Sequence, residues 1–90
     1  MTQTILIVDD DPVQRRILEN SVNKMGYRAV TCEDGESALA RMREGSASPI
    51  DLVVLDLVMP GIDGMGVLAA LAEDQSSIPV IVQTSIGPRR

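Results

Sequence analysis

Short apolar runs alternate with amphipathic stretches along the chain. The apolar run Thr4–Val8 is typical of a strand buried on both faces of a parallel sheet. Asp11 and Pro12 then provide an N-cap and a first helical residue, and Gly26 marks the end of that helix. Apolar side chains recur between these signals at helical spacing: Val13, Ile17, Leu18, Val22 and Met25. The start of the chain therefore predicts a strand followed by a helix.

The same alternation continues to the end of the pattern. Three more strands are predicted at residues 28–32, 50–55 and 78–83. Asp34 and Asp63 are expected to cap the helices between them, and the first of these helices should end near Gly45. Strands separated by helices pair in parallel with right-handed crossovers. The fold class predicted is therefore α/β, with the element order β-α-β-α-β-α-β.

Composition limits the chemistry that one small domain of this kind can perform. The 90 residues carry a net charge of −5 and contain no histidine, one cysteine and one lysine, Lys24. Catalysis that needs histidine, an imidazole or thiolate metal site and an internal disulfide are all excluded. The acidic balance also argues against direct contact with nucleic acid. Because the N-terminal apolar run is too short for a signal peptide or a membrane span, we expect a cytoplasmic protein.

Polar side chains follow three of the predicted strands. Asp9 and Asp10 come after strand 1, Asp56 after strand 3, and Thr84 and Ser85 after strand 4. In a flavodoxin-like doubly wound sheet of order 2-1-3-4, strands 1 and 3 are neighbours, so the three carboxylates would converge at one edge. Carboxylates this close repel each other unless a cation lies between them. The pattern therefore predicts a site for Mg2+, which prefers oxygen ligands.

A simpler interpretation competes with this one for each acidic residue. A single aspartate after a strand is more often a helix cap or a turn residue than a ligand. We assign Asp11, Asp34 and Asp63 to that structural class. Three acids on adjacent strand ends, followed by a hydroxyl on the next strand, favour a functional site over coincidence.

Three segments carry a resemblance to a known family. Residues 6–10 (LIVDD), 55–64 (LDLVMPGIDG) and 79–85 (PVIVQTS) resemble the receiver domain of bacterial two-component response regulators, in the family's order and at nearly its spacing. The resemblance implies that Asp56 accepts a phosphoryl group from a histidine kinase. It also implies that Asp10 binds Mg2+ directly and that the backbone carbonyl of Val58 is a further ligand. Asp9 would act through a bound water or by contacting the direct ligands instead of the ion.

Further roles follow from the same resemblance. Thr84 matches the hydroxyl that contacts the phosphoryl oxygen, and Ser85 matches the small residue that leaves the phosphoryl group accessible. The partner implied is a sensor histidine kinase or a phosphotransferase. The charged side chains of the first helix, Lys24, Arg15 and Arg16, are interpreted as a solvated face, and that helix is the partner surface to test first.

The chain also departs from the family pattern. Family members continue through another helix, a fifth strand and a fifth helix, and that strand normally ends in a lysine that pairs with the phosphoryl group. Lys24 lies in the predicted first helix and cannot take this role. We therefore expect residues 1–90 to be a single, incomplete receiver domain. Such a chain would self-associate through the edge of strand 4 or through the part of the sheet face that the missing helices would normally cover.

Other functions remain open. A receiver-like domain that docks partners without being phosphorylated is favoured by the lack of the lysine and opposed by the intact acids and Thr84. An enzyme is a third alternative. Phosphatases with an aspartate nucleophile need a second acid two residues later, where Val58 stands, and no glycine pattern for dinucleotides is present. We therefore predict a phosphoacceptor signalling module that is not an enzyme.

Overall fold

Helices and strands alternate along the chain in the predicted order. A computed structural model describes residues 2–43, 49–56, 64–73 and 77–83. Within these ranges the elements are β1 (Thr4–Val8), α1 (Pro12–Lys24), β2 (Arg28–Cys32), α2 (Gly35–Arg43), β3 (Leu52–Asp56), α3 (Gly64–Glu73) and β4 (Val80–Gln83). Among these residues, no helix has the length and apolarity that a bilayer crossing requires.

The described strands form one parallel sheet. Their order is β2-β1-β3-β4, as predicted, so β1 and β3 are neighbours. In the register, Val8 of β1 lies beside Leu55 of β3. Every residue of β1 is buried, which fits a strand covered on both faces. The register brings the residues that follow β1 next to the end of β3.

Helices cover both faces of the sheet. Side chains of β1 alternate between them, because successive residues of a strand point to opposite sides. On the face of α1, the buried cluster is Ile5, Ile7 and Val22. On the other face, α2 and α3 close a larger cluster: Leu6, Val8, Ala38, Leu39, Ile50, Val53, Leu55, Val67 and Leu71. The predicted doubly wound α/β architecture is confirmed.

Two strands begin later than the sequence predicts. β3 starts at Leu52 rather than Ile50. The Thr4 amide donates to the Asp51 carboxylate at 2.8 Å, so a side chain occupies this donor in place of a backbone carbonyl of the strand. β4 starts at Val80 rather than Ile78. Pro79, just before it, has no N–H to donate, although its carbonyl still accepts from the Val53 amide at 3.0 Å.

The two ends of α1 are as predicted. The Asp11 carboxylate accepts from the Val13 amide at 2.9 Å, which satisfies one of the free donors of the first turn. Gly26 follows the last turn with φ +91°, a conformation that favours glycine. Asp34 caps α2 in the same way, accepting from the Ser37 amide at 2.7 Å. Asp63 and Gly45 lie outside the described residues.

The apolar spacing of α1 contains two stripes rather than one. Val22 is buried and Leu18 is half-buried against the sheet, whereas Val13, Ile17 and Met25 are 67%, 54% and 65% exposed. At about 100° per residue, Val13 and Ile17 lie on the side of the helix opposite Val22. The helix is therefore predicted correctly, but only part of its apolar set faces the core.

Candidate functional site

Three carboxylates converge at the carboxyl edge of the sheet. Asp9 and Asp10 follow β1, and Asp56 ends β3. Because Val8 pairs with Leu55, the next residues of the two strands lie side by side. One carboxylate oxygen from each of the three residues lies within 4.8 Å of the others. The convergence predicted from the strand ends is therefore present in the fold.

The three acids differ in burial. Asp9 and Asp56 are each only 2% exposed, whereas Asp10 is exposed. Burial raises the pKa of the Asp9 carboxyl, the amide hydrogen bond from Asp11 opposes that rise, and the charges of Asp56 and Asp10 add to it. The site therefore has two buried carboxylates and one carboxylate that is open to solvent.

Backbone hydrogen bonds hold the turn that carries Asp9 and Asp10. The Asp9 amide donates to the Cys32 carbonyl at 3.1 Å, which joins the end of β1 to β2. The Asp9 carboxylate in turn accepts from the Asp11 amide at 2.9 Å. Asp11 is itself the N-cap of α1. The turn is thus tied to a strand on one side and to a helix on the other.

The donor set suits a hard cation. All three side chains offer carboxylate oxygens, which Mg2+ prefers over nitrogen or sulfur ligands. Asp10 faces solvent, so water or phosphate oxygens can reach the site. Burial is the main cause of the raised pKa of Asp9, and a divalent cation would offset the neighbouring carboxylate charges that add to it. These residues therefore fit Mg2+.

The predicted site residues divide into two groups. Asp9, Asp10 and Asp56 are brought together, although their individual roles remain predictions. Thr84, Ser85 and the Val58 carbonyl lie outside the described residues.

The interpretation of Arg15 as part of a solvated face is wrong. Its side chain is half-buried, and Nη1 donates to the Asp9 carbonyl at 2.8 Å, whereas the neighbouring Arg16 is exposed as predicted. Helical side chains lean toward the N-terminus of their helix, and Arg15 lies one turn after the N-cap Asp11. That placement was a signal that Arg15 could reach back to the end of β1.

Comparisons with known proteins agree with this geometry. The family model for the response regulator receiver domain matches residues 5–88. The probable transcriptional regulator ycf27 of Cyanophora paradoxa is 45% identical over 83 residues, which cover 92% of this chain and 33% of that protein. The chain thus spans about a third of the length of this relative.

Solved structures resemble the fold closely. The Thermotoga maritima response regulator TrrA, in complex with Mg2+ and BeF, superposes with a TM-score of 0.86 at 35% identity, covering 96% of this chain and 72% of that one. TrrA in complex with the histidine kinase ThkA gives a TM-score of 0.84 at 35% identity, covering 99% of this chain and 74% of that one.

Proposed function

Because the chain belongs to the response regulator receiver domain family, we propose that Asp56 is its phosphoacceptor in two-component signalling from histidine to aspartate. The family consists of signalling modules rather than enzymes. Support comes from the placement of Asp56, a buried carboxylate at the end of β3 with oxygens of Asp9 and Asp10 within 4.8 Å. The acceptor is thus fixed by a central strand and lies beside two further acids.

The reaction requires one bond to form and one to break. A carboxylate oxygen of Asp56 forms an O–P bond while the P–N bond to the donor imidazole breaks, and the electron pair of that bond stays on the ring nitrogen. Both the carboxylate and the phosphoryl group are anionic, so they repel each other as they approach. Bound Mg2+ would neutralise the phosphoryl oxygens and bring them close to the carboxylate.

The cation would be held by the acid cluster. Asp10 and Asp56 would bind it directly, whereas Asp9 would act through a bound water or by contacting these direct ligands. TrrA of Thermotoga maritima, at 35% identity, was solved in complex with Mg2+ and BeF, which supports the same ion here. By resemblance to the family, the Val58 carbonyl supplies a further ligand, Thr84 contacts the phosphoryl oxygen and Ser85 leaves access to it.

A docking domain that is never phosphorylated is the second candidate, and within residues 1–90 it is favoured by the position of Lys24. Lys24 lies in the last turn of α1, whose 13 residues begin just after Asp11. At about 1.5 Å per residue, Lys24 is about 18 Å along the helix from its first residue. It therefore cannot pair with a phosphoryl group on Asp56.

Phosphorylation by a small donor separates the two candidates. The chain is incubated with phosphoramidate, whose P–N bond mimics phosphohistidine, with and without Mg2+. We expect a mass gain of one phosphoryl group that is stable in acid and labile in alkali, that needs Mg2+, and that is lost in Asp56→Asn. Glu36→Gln, which removes an exposed acid of α2 outside the cluster, should be modified like the unsubstituted chain. A folded chain that gains no mass would favour the docking domain.

The partner proposed is a sensor histidine kinase or a phosphotransferase, since both present a phosphohistidine. A kinase is the partner of TrrA in the complex with ThkA. On the side of α1 opposite the sheet, Val13 and Ile17 offer exposed apolar side chains on a helix that begins beside the acid cluster. Ile17→Lys should slow transfer from a phosphorylated kinase while leaving the reaction with phosphoramidate unchanged.

The remaining proposals concern the domain as a whole. Residues 1–90 would act as one receiver unit in the cytoplasm, where kinases obtain phosphoryl groups from ATP. The net charge of −5 argues against direct contact of this domain with nucleic acid. The 90-residue chain by itself would self-associate through β4, which is the outer strand of the sheet in the described part of the chain.

A further inference from the structure

The Asp9 carbonyl lies just beyond the end of β1, on the same residue whose amide is hydrogen-bonded to β2. The Asp9 amide donates to the Cys32 carbonyl at 3.1 Å. In a parallel ladder the N–H and C=O of one residue point toward the same neighbouring strand, so the Asp9 carbonyl also faces the β2 side. Its partner is the guanidinium of Arg15, whose Nη1 donates at 2.8 Å. The Arg15 side chain thus donates to the carbonyl where, in a regular parallel pair of strands, a backbone amide of the neighbouring strand would donate.

Arg15 ties the turn to the helix through two separate groups. Its guanidinium binds the Asp9 carbonyl at 2.8 Å, and its backbone amide donates to the Asp11 carbonyl at 2.9 Å. Between these two points, the Asp11 amide donates to the Asp9 carboxylate at 2.9 Å. Hydrogen bonds to charged groups are shorter and stronger than neutral ones. The backbone on both sides of Asp10 is therefore fixed by contacts that include Arg15.

We propose that Arg15 is a positioning residue of the acid cluster, which holds the Asp9–Asp11 turn so that the exposed Asp10 carboxylate stays beside Asp9 and Asp56. The inference rests on the proposed function, because it concerns cation binding at the same site. Asp10 is the exposed member of the cluster, so the backbone of this turn sets the position of its carboxylate. Arg15 itself would not touch the cation or the phosphoryl group.

Two possible roles of Arg15, holding the turn and acting only as a positive charge, predict opposite effects of its removal on Mg2+ affinity. If Arg15 acted only through its positive charge, removing it would strengthen Mg2+ binding, because like charges repel. If Arg15 holds the turn, removing it weakens binding, since losing a partner that orients a metal ligand costs about 10-fold or more in affinity. Arg16 provides the matched control, because it is an exposed arginine on the same helix.

The test compares Arg15→Ala, Arg15→Lys and Arg16→Ala with the unsubstituted chain, all at a temperature where circular dichroism shows them folded. Mg2+ affinity is measured by NMR titration of the backbone amides. We expect Arg15→Ala to bind about 10-fold more weakly. Arg15→Lys should recover part of that loss, because an ammonium group can donate to the carbonyl but lacks the planar fork. Arg16→Ala should match the unsubstituted chain or bind slightly more tightly.

The 13C shift of the Asp9 carbonyl gives a second readout. It should move in Arg15→Ala and stay unchanged in Arg16→Ala. If Arg15→Ala does not fold, weaker binding by folded Arg15→Lys carries the test. Mg2+ binding by Arg15→Ala that equals or exceeds that of the unsubstituted chain, or an equal loss in Arg16→Ala, would overturn the inference alone. An unsubstituted chain that binds no Mg2+ would overturn the proposed magnesium site as well.

Discussion

At the scale of single residues, ionisation of Asp9 opposes folding. The pKa of this carboxyl is raised above its usual value of 3.8, mainly by burial and further by the charges of Asp56 and Asp10. The folded chain therefore holds the Asp9 proton more tightly than the unfolded chain. The contribution of this group to stability is greatest below its unfolded pKa and is lost as the pH rises through its folded pKa.

Asp9→Asn should therefore stabilise the chain when Mg2+ is absent. The amide oxygen can still accept from the Asp11 amide, while the buried charge is gone. We expect a gain of about 1 kcal/mol in the free energy of unfolding near neutral pH, shrinking toward about pH 4. Urea titrations followed by circular dichroism, with and without Mg2+, measure it. Mg2+ should reduce the advantage, because the cation stabilises the native acid cluster.

Asp34→Asn is the matched control for Asp9→Asn. The pKa of Asp34 is lowered by hydrogen bonds from Ser37, so its charged form favours folding, and the substitution should give no gain. If Asp9→Asn is less stable than the unsubstituted chain at neutral pH without Mg2+, the Asp9 charge does not oppose folding.

How much of the site the sequence predicts depends on which property is considered. The meeting of Asp9, Asp10 and Asp56 follows from strand order alone, because parallel strands end at one edge. The difference in burial between Asp9 and Asp10 depends on how the turn after β1 closes, which the residue pattern does not specify. The bond from Arg15 to the Asp9 carbonyl depends on the path of a long side chain, so its charge alone suggested a solvated residue.

At the scale of elements, the end of α1 depends on Gly26. Its φ of +91° is a backbone conformation that other residues adopt at a cost, although nothing lies within 4 Å of the position a Cβ would occupy. Gly26→Ala should therefore lower the free energy of unfolding by about 1–2 kcal/mol through backbone strain alone. Gly26→Asn should cost less, because asparagine tolerates this region better. Equal stability of all three chains in urea would contradict this account.

The start of α1 gives a second prediction for this element. Asp11→Ala removes the side-chain oxygen that accepts from the Val13 amide at 2.9 Å. We expect a loss of about 1 kcal/mol in the free energy of unfolding, the usual cost of a lost N-cap. Asp11→Asn keeps the acceptor and should remain close to the unsubstituted chain in thermal unfolding. A similar loss in both variants would assign the effect to the charge of Asp11 instead of its hydrogen bond.

Element identity was easier to predict than the direction each residue faces. Caps and a stop residue identify α1 correctly because they act through local backbone geometry. The exposure of Val13 and Ile17 depends instead on which side of the helix meets the sheet, and the apolar spacing alone allowed either. The first residue of β3 was misplaced for a related reason, because Asp51 pairs with Thr4, which is 47 residues away in the chain.

At the scale of the whole molecule, the sheet is well covered at its centre and poorly covered at β4. All of β1 is buried, whereas Ile81 and Val82 of β4 are 54% and 42% exposed. Ile81 pairs with Val54, so it lies on the face of the sheet that α1 covers. Parallel strands are usually buried on both faces, and an apolar outer strand is a surface for pairing with another chain.

Self-association of the 90-residue chain should therefore depend on β4. Ile81→Lys places a charge on the outer strand, a change that discourages pairing between strands. We expect the apparent dissociation constant of the dimer to rise at least about 10-fold, equivalent to about 1.4 kcal/mol, in sedimentation equilibrium. Met25→Lys adds the same charge at a residue of similar exposure near the end of α1, and it should leave association unchanged. An unsubstituted chain that stays monomeric at high concentration would rule out pairing through β4, and equal weakening by both variants would assign association to net charge.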